Sequence, residues 1–135
     1  MPCIPLMSSA FAFIVPTYIA IRNGHDVFAW ALYMLLLTSI LNHGYSGQHT
    51  LWKTIDKCFA QILTAITMLG TLWYGIETRN IVFIMTGVSG ILAGISYIYS
   101  RNNRGDSNGI IAHMCVHVCG ALGFSLFTIA RSISI

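Results

Sequence analysis

Five apolar runs, each close to the length that crosses a lipid bilayer, take up most of this chain. They cover residues 4–21, 27–43, 55–76, 81–99 and 109–131. A helix needs about 20 apolar residues to span a hydrocarbon core of about 30 Å. In hydrocarbon, a helix also satisfies all of its own backbone hydrogen bonds. The runs therefore predict an all-α integral membrane protein, a single transmembrane domain over residues 1–135 with five helices.

The composition agrees with a multi-pass membrane protein and excludes some functions. Hydrophobic residues make up 56% of the chain and charged residues 8%, and the mean hydropathy is +0.72, which is not typical of a water-soluble domain. The seven Lys and Arg residues are scattered singly. Without a basic stripe, nucleic acid is not expected as a partner. No Lys or Arg precedes the first run, so we expect a retained span there rather than a secretory signal.

Two local features predict how the helices bend and pack. Pro16 lies inside the first run and should kink that helix, because proline has no N–H and its ring clashes with the carbonyl four residues earlier. Gly90 and Gly94 form a pair of small residues four apart in the fourth run. Such pairs let another helix approach closely, so a packing contact is expected there.

Two histidines near the start of the last run have the spacing of metal ligands. His113 and His117 are four positions apart in the sequence. This spacing places both imidazoles on one side of a helix, about 6 Å apart along its axis. Alternatively, the pair forms hydrogen bonds between helices. A catalytic zinc site has three protein ligands, so a metal site requires a third ligand from elsewhere.

The alternating direction of the helices indicates where that ligand lies. The second run ends, and the third and fifth runs begin, on the membrane face where the chain starts. His43 and Asp56 therefore share this face with the histidine pair, and Ser39 lies one helical turn deeper than His43. Ionisable groups at such depth are costly unless they are paired, hydrated or bound to metal. The sequence thus predicts a functional cluster of Ser39, His43, Asp56, His113 and His117.

These side chains suit a zinc site. Three neutral imidazoles can hold Zn²⁺ and leave its fourth position for a water whose pKa falls to about 7. Asp56 could accept a proton from that water, and Ser39 could donate a hydrogen bond to the oxyanion that forms at a carbonyl. Taken singly, His43 is also explained as an interfacial residue, Asp56 as a helix-terminal charge, and Ser39 as bonded within its own helix.

The order of these motifs resembles that of the CREST superfamily of membrane metal-dependent hydrolases. This superfamily contains the alkaline ceramidases, the progestin and adiponectin receptors and haemolysin III. The resemblance rests on Ser39-x-x-x-His43 at the end of one helix, Asp56 at the start of the next, and His113-x-x-x-His117 at the start of the last. It implies three zinc-binding histidines, with the Asp and Ser beside the metal-bound water, and hydrolysis of lipid amide or ester bonds. The superfamily core has seven helices, whereas this chain has five apolar runs.

The positions of the cations favour one orientation. The N-terminal face would carry Lys53, Lys57, Arg101 and Arg104, and the opposite face Arg22, Arg79 and Arg131. By the positive-inside rule, the N-terminal face is expected to be cytoplasmic, by a margin of one charge.

Three functions remain open at this point. The first is a zinc-dependent, ceramidase-like hydrolase of a lipid amide or ester, with membrane lipid as substrate. The second is a non-catalytic structural protein in a homo-oligomer or a larger assembly, such as a viral or organellar membrane, which the very short loops suggest. The third is a haem protein, but two histidines on one side of a helix cannot ligate opposite sides of one haem.

Overall fold

The computed structural model describes residues 3–44 and 50–133, and every regular element within these ranges is a helix. The five long helices are α1 (Ile4–Arg22), α2 (Asp26–Gly44), α3 (Thr50–Thr78), α4 (Ile81–Asn102) and α5 (Ser107–Ile133). Each is long and apolar enough to cross a membrane. The prediction of an all-α fold with five long apolar helices is confirmed.

The helices extend beyond the apolar runs that predicted them. The largest difference is at α3, which begins at Thr50 rather than at residue 55. Trp52 and Lys53 therefore lie inside α3, and Asp56 lies in its second turn rather than its first. Apolar length marks the part of a helix that hydrocarbon can hold, whereas the backbone hydrogen bonds continue into the polar residues that flank it.

The first helix changes its geometry close to Pro16. A single turn of 3₁₀-helix, Phe11–Phe13, interrupts α1. Residue 12 is the position whose carbonyl the Pro16 ring would crowd and leave without an N–H donor. The disturbance that the sequence predicts for Pro16 is thus found one turn before it.

Short turns connect α1 with α2, α3 with α4 and α4 with α5, and make these neighbouring helices antiparallel. Gly24 and Gly105 have φ angles of +71° and +88° at two of these turns, a conformation that glycine adopts without steric cost. A hydrogen bond from Asn42 to Asp56 brings the end of α2 to the start of α3. The starts of α1, α3 and α5 and the ends of α2 and α4 consequently lie together, and we call this the N-terminal end of the bundle. There the Cys3 N–H donates a hydrogen bond of 2.9 Å to the His43 carbonyl, which ties the start of α1 to the end of α2.

Many large apolar side chains point outward, while hydroxyl groups are buried between helices. Trp30, Leu69 and Ile76 are 67%, 68% and 78% exposed. Thr38, Thr86 and Thr128, in contrast, are 1–2% exposed, and each donates a hydrogen bond to a carbonyl of its own helix. Apolar side chains also fill two interior clusters, which include Phe13, Leu32, Leu35, Leu63, Phe83, Phe124 and Phe127. This distribution is the one expected when the surroundings are apolar.

The two glycines that were predicted to pack against another helix have different surroundings. A Cβ on Gly90 would lie 2.8 Å from the Met68 sulfur of α3, whereas a Cβ on Gly94 would meet no atom within 4 Å. The close approach predicted for the pair therefore occurs at Gly90 only. Helices α4 and α5 are instead joined by the Ser89 hydroxyl, which donates a hydrogen bond of 2.5 Å to the Cys119 carbonyl.

We expect Gly109→Ala to be strongly destabilising. Gly109 is buried, and a Cβ there would overlap the backbone carbonyl oxygen of Asn103, which cannot rotate away as a side chain could. Forcing an extra carbon into a filled site costs about 1–3 kcal/mol. The unfolding midpoint is measured by circular dichroism in a mixed detergent.

The matched control is Gly94→Ala, which adds the same methyl group to a helix in open space. Alanine in a helix interior is more favourable than glycine by about 0.5–1 kcal/mol, so this midpoint should be unchanged or raised. Equal midpoints for the two variants would show that the turn at Asn103 yields and that Gly109 is not a tight packing position.

Candidate metal centre

Three imidazoles from two helices converge at the N-terminal end of the bundle. His43 is the penultimate residue of α2, while His113 and His117 lie one turn apart on α5. Their ring centroids are separated by 5.0–5.3 Å. One nitrogen of each ring lies within 4.8 Å of the other two, so the three side chains could hold a metal ion. We call these residues the histidine triad.

The hydrogen bonds of His117 determine which nitrogen is free. The Ser9 hydroxyl of α1 donates its one proton to the Leu6 carbonyl at 3.0 Å. Its oxygen lies 2.7 Å from Nδ1 of His117, and while the Ser9 proton is bonded to Leu6 this oxygen accepts a hydrogen bond from Nδ1. In a neutral imidazole, the proton on Nδ1 leaves a lone pair on Nε2. His117 thus presents Nε2 as a ligand atom.

The other two rings are compatible with the same arrangement. The Ser100 hydroxyl lies 3.3 Å from Nδ1 of His113, which leaves Nε2 of that ring for a ligand role. The Nε2 atom of His43 is buried and has no hydrogen-bond partner among the residues that the structure describes. A buried polar atom without a partner is rare and costly, and a metal ion would satisfy it. Metal-binding histidines typically bond their second nitrogen to a neighbouring oxygen, as His113 and His117 do here.

Ser39 and Asp56 lie beside the triad in different ways. Ser39 is 1% exposed, and its hydroxyl oxygen is 3.4 Å from Nε2 of His117, which is too long for a strong hydrogen bond. Asp56 lines the same cavity as the triad, and its Oδ2 accepts a hydrogen bond of 2.8 Å from the Asn42 amide. The structure therefore brings all five predicted residues to one cavity. Their chemical roles stay predictions.

The cavity has a volume of about 380 Å³ and is bounded by residues of all five helices. Its deeper wall is formed by apolar side chains such as Phe13, Leu35 and Val116. Cys115 and Cys119 of α5 are absent from the group of metal-ligating side chains that the described residues form. A concave space with polar groups on one side and apolar walls on the other is typical of small-molecule sites.

Three residues of the site were not found from the sequence. Ser9 and Ser100 each contact a histidine, and Asn42 holds Asp56. Asn42 was detectable in principle, since it is an amide next to His43 at the end of an apolar run. The serines were not, because a hydroxyl in an apolar helix usually bonds to its own helix, and nothing in the spacing of Ser9 places it against α5.

Comparison with known proteins does not assign the chain to a family: no protein-family model, no curated protein and no solved structure matches it. The function is therefore inferred from the geometry of the histidine triad and its surroundings.

Proposed function

We propose that this protein is a zinc-dependent hydrolase that spans a membrane and cleaves an amide or ester bond of a lipid. The observation that carries the proposal is the histidine triad, in which Nδ1 of His117 contacts Ser9 and Nε2 of His43 has no hydrogen-bond partner within residues 3–44 and 50–133. Three imidazoles presenting lone pairs to one point are the ligand set of catalytic zinc sites.

Insertion in a membrane is supported by the surface of the bundle. Large apolar side chains are exposed along all five helices, and a soluble protein of this size rarely exposes a continuous apolar surface. Lys and Arg residues lie near the ends of the helices. Four of them lie near the N-terminal end of the bundle and three near the opposite end, so we propose that the N-terminal end faces the cytoplasm.

The chain's own residues have separate tasks in this reaction. His43, His113 and His117 would hold the zinc ion, which would act as a Lewis acid and lower the pKa of the attacking water to about 7. Asp56, oriented by Asn42, accepts a proton from the attacking water. Ser39 donates a hydrogen bond to the carbonyl oxygen as negative charge develops on it. The apolar walls of the cavity exclude bulk water and receive the lipid.

The resemblance to the CREST superfamily extends this proposal. We propose that the chain is a five-helix relative of the seven-helix ceramidases and receptors. The order Ser39, His43, Asp56, His113, His117 supports this relationship, as does the position of all five residues in one cavity.

The test is hydrolysis by the purified protein in lipid nanodiscs. Wild-type protein should release fatty acid from a ceramide or a phospholipid, a strong zinc chelator should remove this activity, and added Zn²⁺ should restore it. His25→Ala is the matched control, because His25 lies in the turn between α1 and α2 at the opposite end of the bundle. Folded, zinc-loaded protein that releases no fatty acid from any amide or ester lipid would refute the proposal.

A further inference from the structure

Four cations stand around the mouth of the cavity that contains the histidine triad. Lys53 and Lys57 belong to α3, Arg101 is in the last turn of α4, and Arg104 is in the turn that follows. All four line this cavity and are exposed. Among the described residues that line it, Asp56 is the one carboxylate, so four cations face a single acidic group. The mouth is therefore strongly positive.

A second, apolar cavity adjoins the first. It has a volume of about 430 Å³, lies between α3, α4 and α5, and is walled by side chains such as Met68 and Phe124. Lys57 and Tyr97 line both cavities, so the two spaces meet at these residues. Gly94 opens onto the second cavity and leaves room there, since a Cβ would meet nothing within 4 Å. We call this space the apolar groove.

Resting on the hydrolase function proposed above, we propose that the substrate is a lipid with a phosphate-bearing, anionic headgroup. The headgroup lies against the four cations at the mouth, one acyl chain lies in the apolar groove, and the acyl carbonyl lies between them at the histidine triad. A zwitterionic or neutral headgroup would gain little from these cations. A free anion would leave the groove empty.

The reaction consumes one water and leaves the phosphate unchanged. For an ester, the carbonyl carbon gains the oxygen of water while its bond to the lipid's glycerol oxygen breaks. That oxygen takes a proton, and the products are a fatty acid and a lysolipid that keeps its anionic headgroup. Nothing is oxidised or reduced, so no further co-reactant is required.

The number of cations at the mouth gives the expected size of the preference for anionic lipid. A Lys or Arg near a membrane surface contributes about fivefold to the binding of anionic lipid, which is about 1 kcal/mol. Removing two cations, as in Lys57→Gln with Arg104→Gln, should lower the preference for anionic lipid by about 25-fold. The matched control is Arg22→Gln with Arg79→Gln. It removes the same charge from the opposite end of the bundle, where neither residue lines either cavity.

The experiment measures lipid binding separately from turnover. Protein is equilibrated in nanodiscs that contain equal amounts of the ether-linked dioleyl forms of phosphatidic acid and phosphatidylcholine, which share their chains and cannot be hydrolysed. The lipids retained on the protein are then counted by mass spectrometry. We expect phosphatidic acid to be enriched on wild type and on the Arg22, Arg79 control, and to be about 25-fold less enriched on the Lys57, Arg104 variant, which keeps two of the four cations. Equal enrichment on all three proteins would overturn the proposal.

Two further measurements test whether the anion must belong to a lipid and whether the groove holds the acyl chain. Millimolar inorganic phosphate should not displace phosphatidic acid, and displacement would mean that the site recognises a free anion rather than a lipid. Gly94→Leu should fill the groove and raise KM for dioleoyl but not for dihexanoyl phosphatidic acid. An unchanged KM for the long-chain lipid would overturn the placement of the acyl chain.

The failure of this proposal can be told apart from that of the hydrolase function. Enrichment of phosphatidic acid should persist in His113→Ala, because the cations rather than the metal hold the headgroup. Equal rates of hydrolysis for anionic and zwitterionic lipids would overturn the anionic substrate and leave the hydrolase function in place. Enrichment without hydrolysis by wild type would remove the hydrolase and leave an anionic-lipid binding site.

Discussion

Elemental mass spectrometry of the purified protein should find about one zinc ion per chain, and the double substitution His113→Ala, His117→Ala should reduce it to near zero. Both residues belong to the triad whose nitrogens lie within 4.8 Å of one another. Removing two of three ligands leaves His43, and one imidazole cannot retain zinc through purification. His43→Ala leaves two ligands and should also lose the ion, since catalytic zinc sites use three.

Changing a neighbour of the triad, rather than a ligand, should give a smaller loss of zinc in the same measurement. Ser9→Ala removes the acceptor for the Nδ1 proton of His117 but no ligand, so zinc affinity should fall by about 10–100-fold rather than vanish. His25→Ala, at the opposite end of the bundle, should keep full zinc. Folded wild-type protein that carries no metal after purification in zinc-containing buffer would mean that the histidines only pack against one another.

The placement of the triad residues at one end of the bundle could be predicted because it depends only on the alternating direction of the helices. Five helices that alternate in direction must bring the end of the second and the starts of the third and fifth to one end. His43, Asp56 and His113 are each close to such a terminus. Errors of a few residues at the helix ends, such as the earlier start of α3 at Thr50, leave this reasoning intact, since they do not change which end of the bundle a residue occupies.

The details of the site depend on how the helices are rotated, which apolar periodicity does not determine here. Side chains on the outside and inside of such helices are both apolar, so Phe11 and Phe13 look alike in the sequence although the first is 52% and the second 4% exposed. The contact of Ser9 with His117 requires a particular rotation of α1 against α5. The apolar groove depends in the same way on the face that α4 turns to α3. The spacing of Gly90 and Gly94 predicted this face only in part, since Gly90 contacts α3 and Gly94 does not.

Asp56 is the group that most sharply separates catalysis from metal binding. Its Oδ2 accepts a hydrogen bond from the Asn42 side chain at 2.8 Å, so the carboxylate is held in place by an amide that belongs to the helix carrying His43. The metal-ligating group consists of the three histidines without Asp56. A carboxylate that lies in the cavity but outside the ligand set is suited to move a proton and is not required to retain the ion.

We expect Asp56→Asn to lower kcat for lipid hydrolysis by about 10²–10⁴-fold while zinc content stays near one per chain. The amide has almost the same shape as the carboxylate but cannot accept a proton from water. Asp26→Asn at the opposite end of the bundle makes the same chemical change away from the cavity and should leave kcat unaltered. The measurements are steady-state hydrolysis and elemental analysis on the same preparations. If Asp56→Asn loses zinc together with activity, Asp56 supports the metal rather than accepting the proton, and the assignment of general base is wrong.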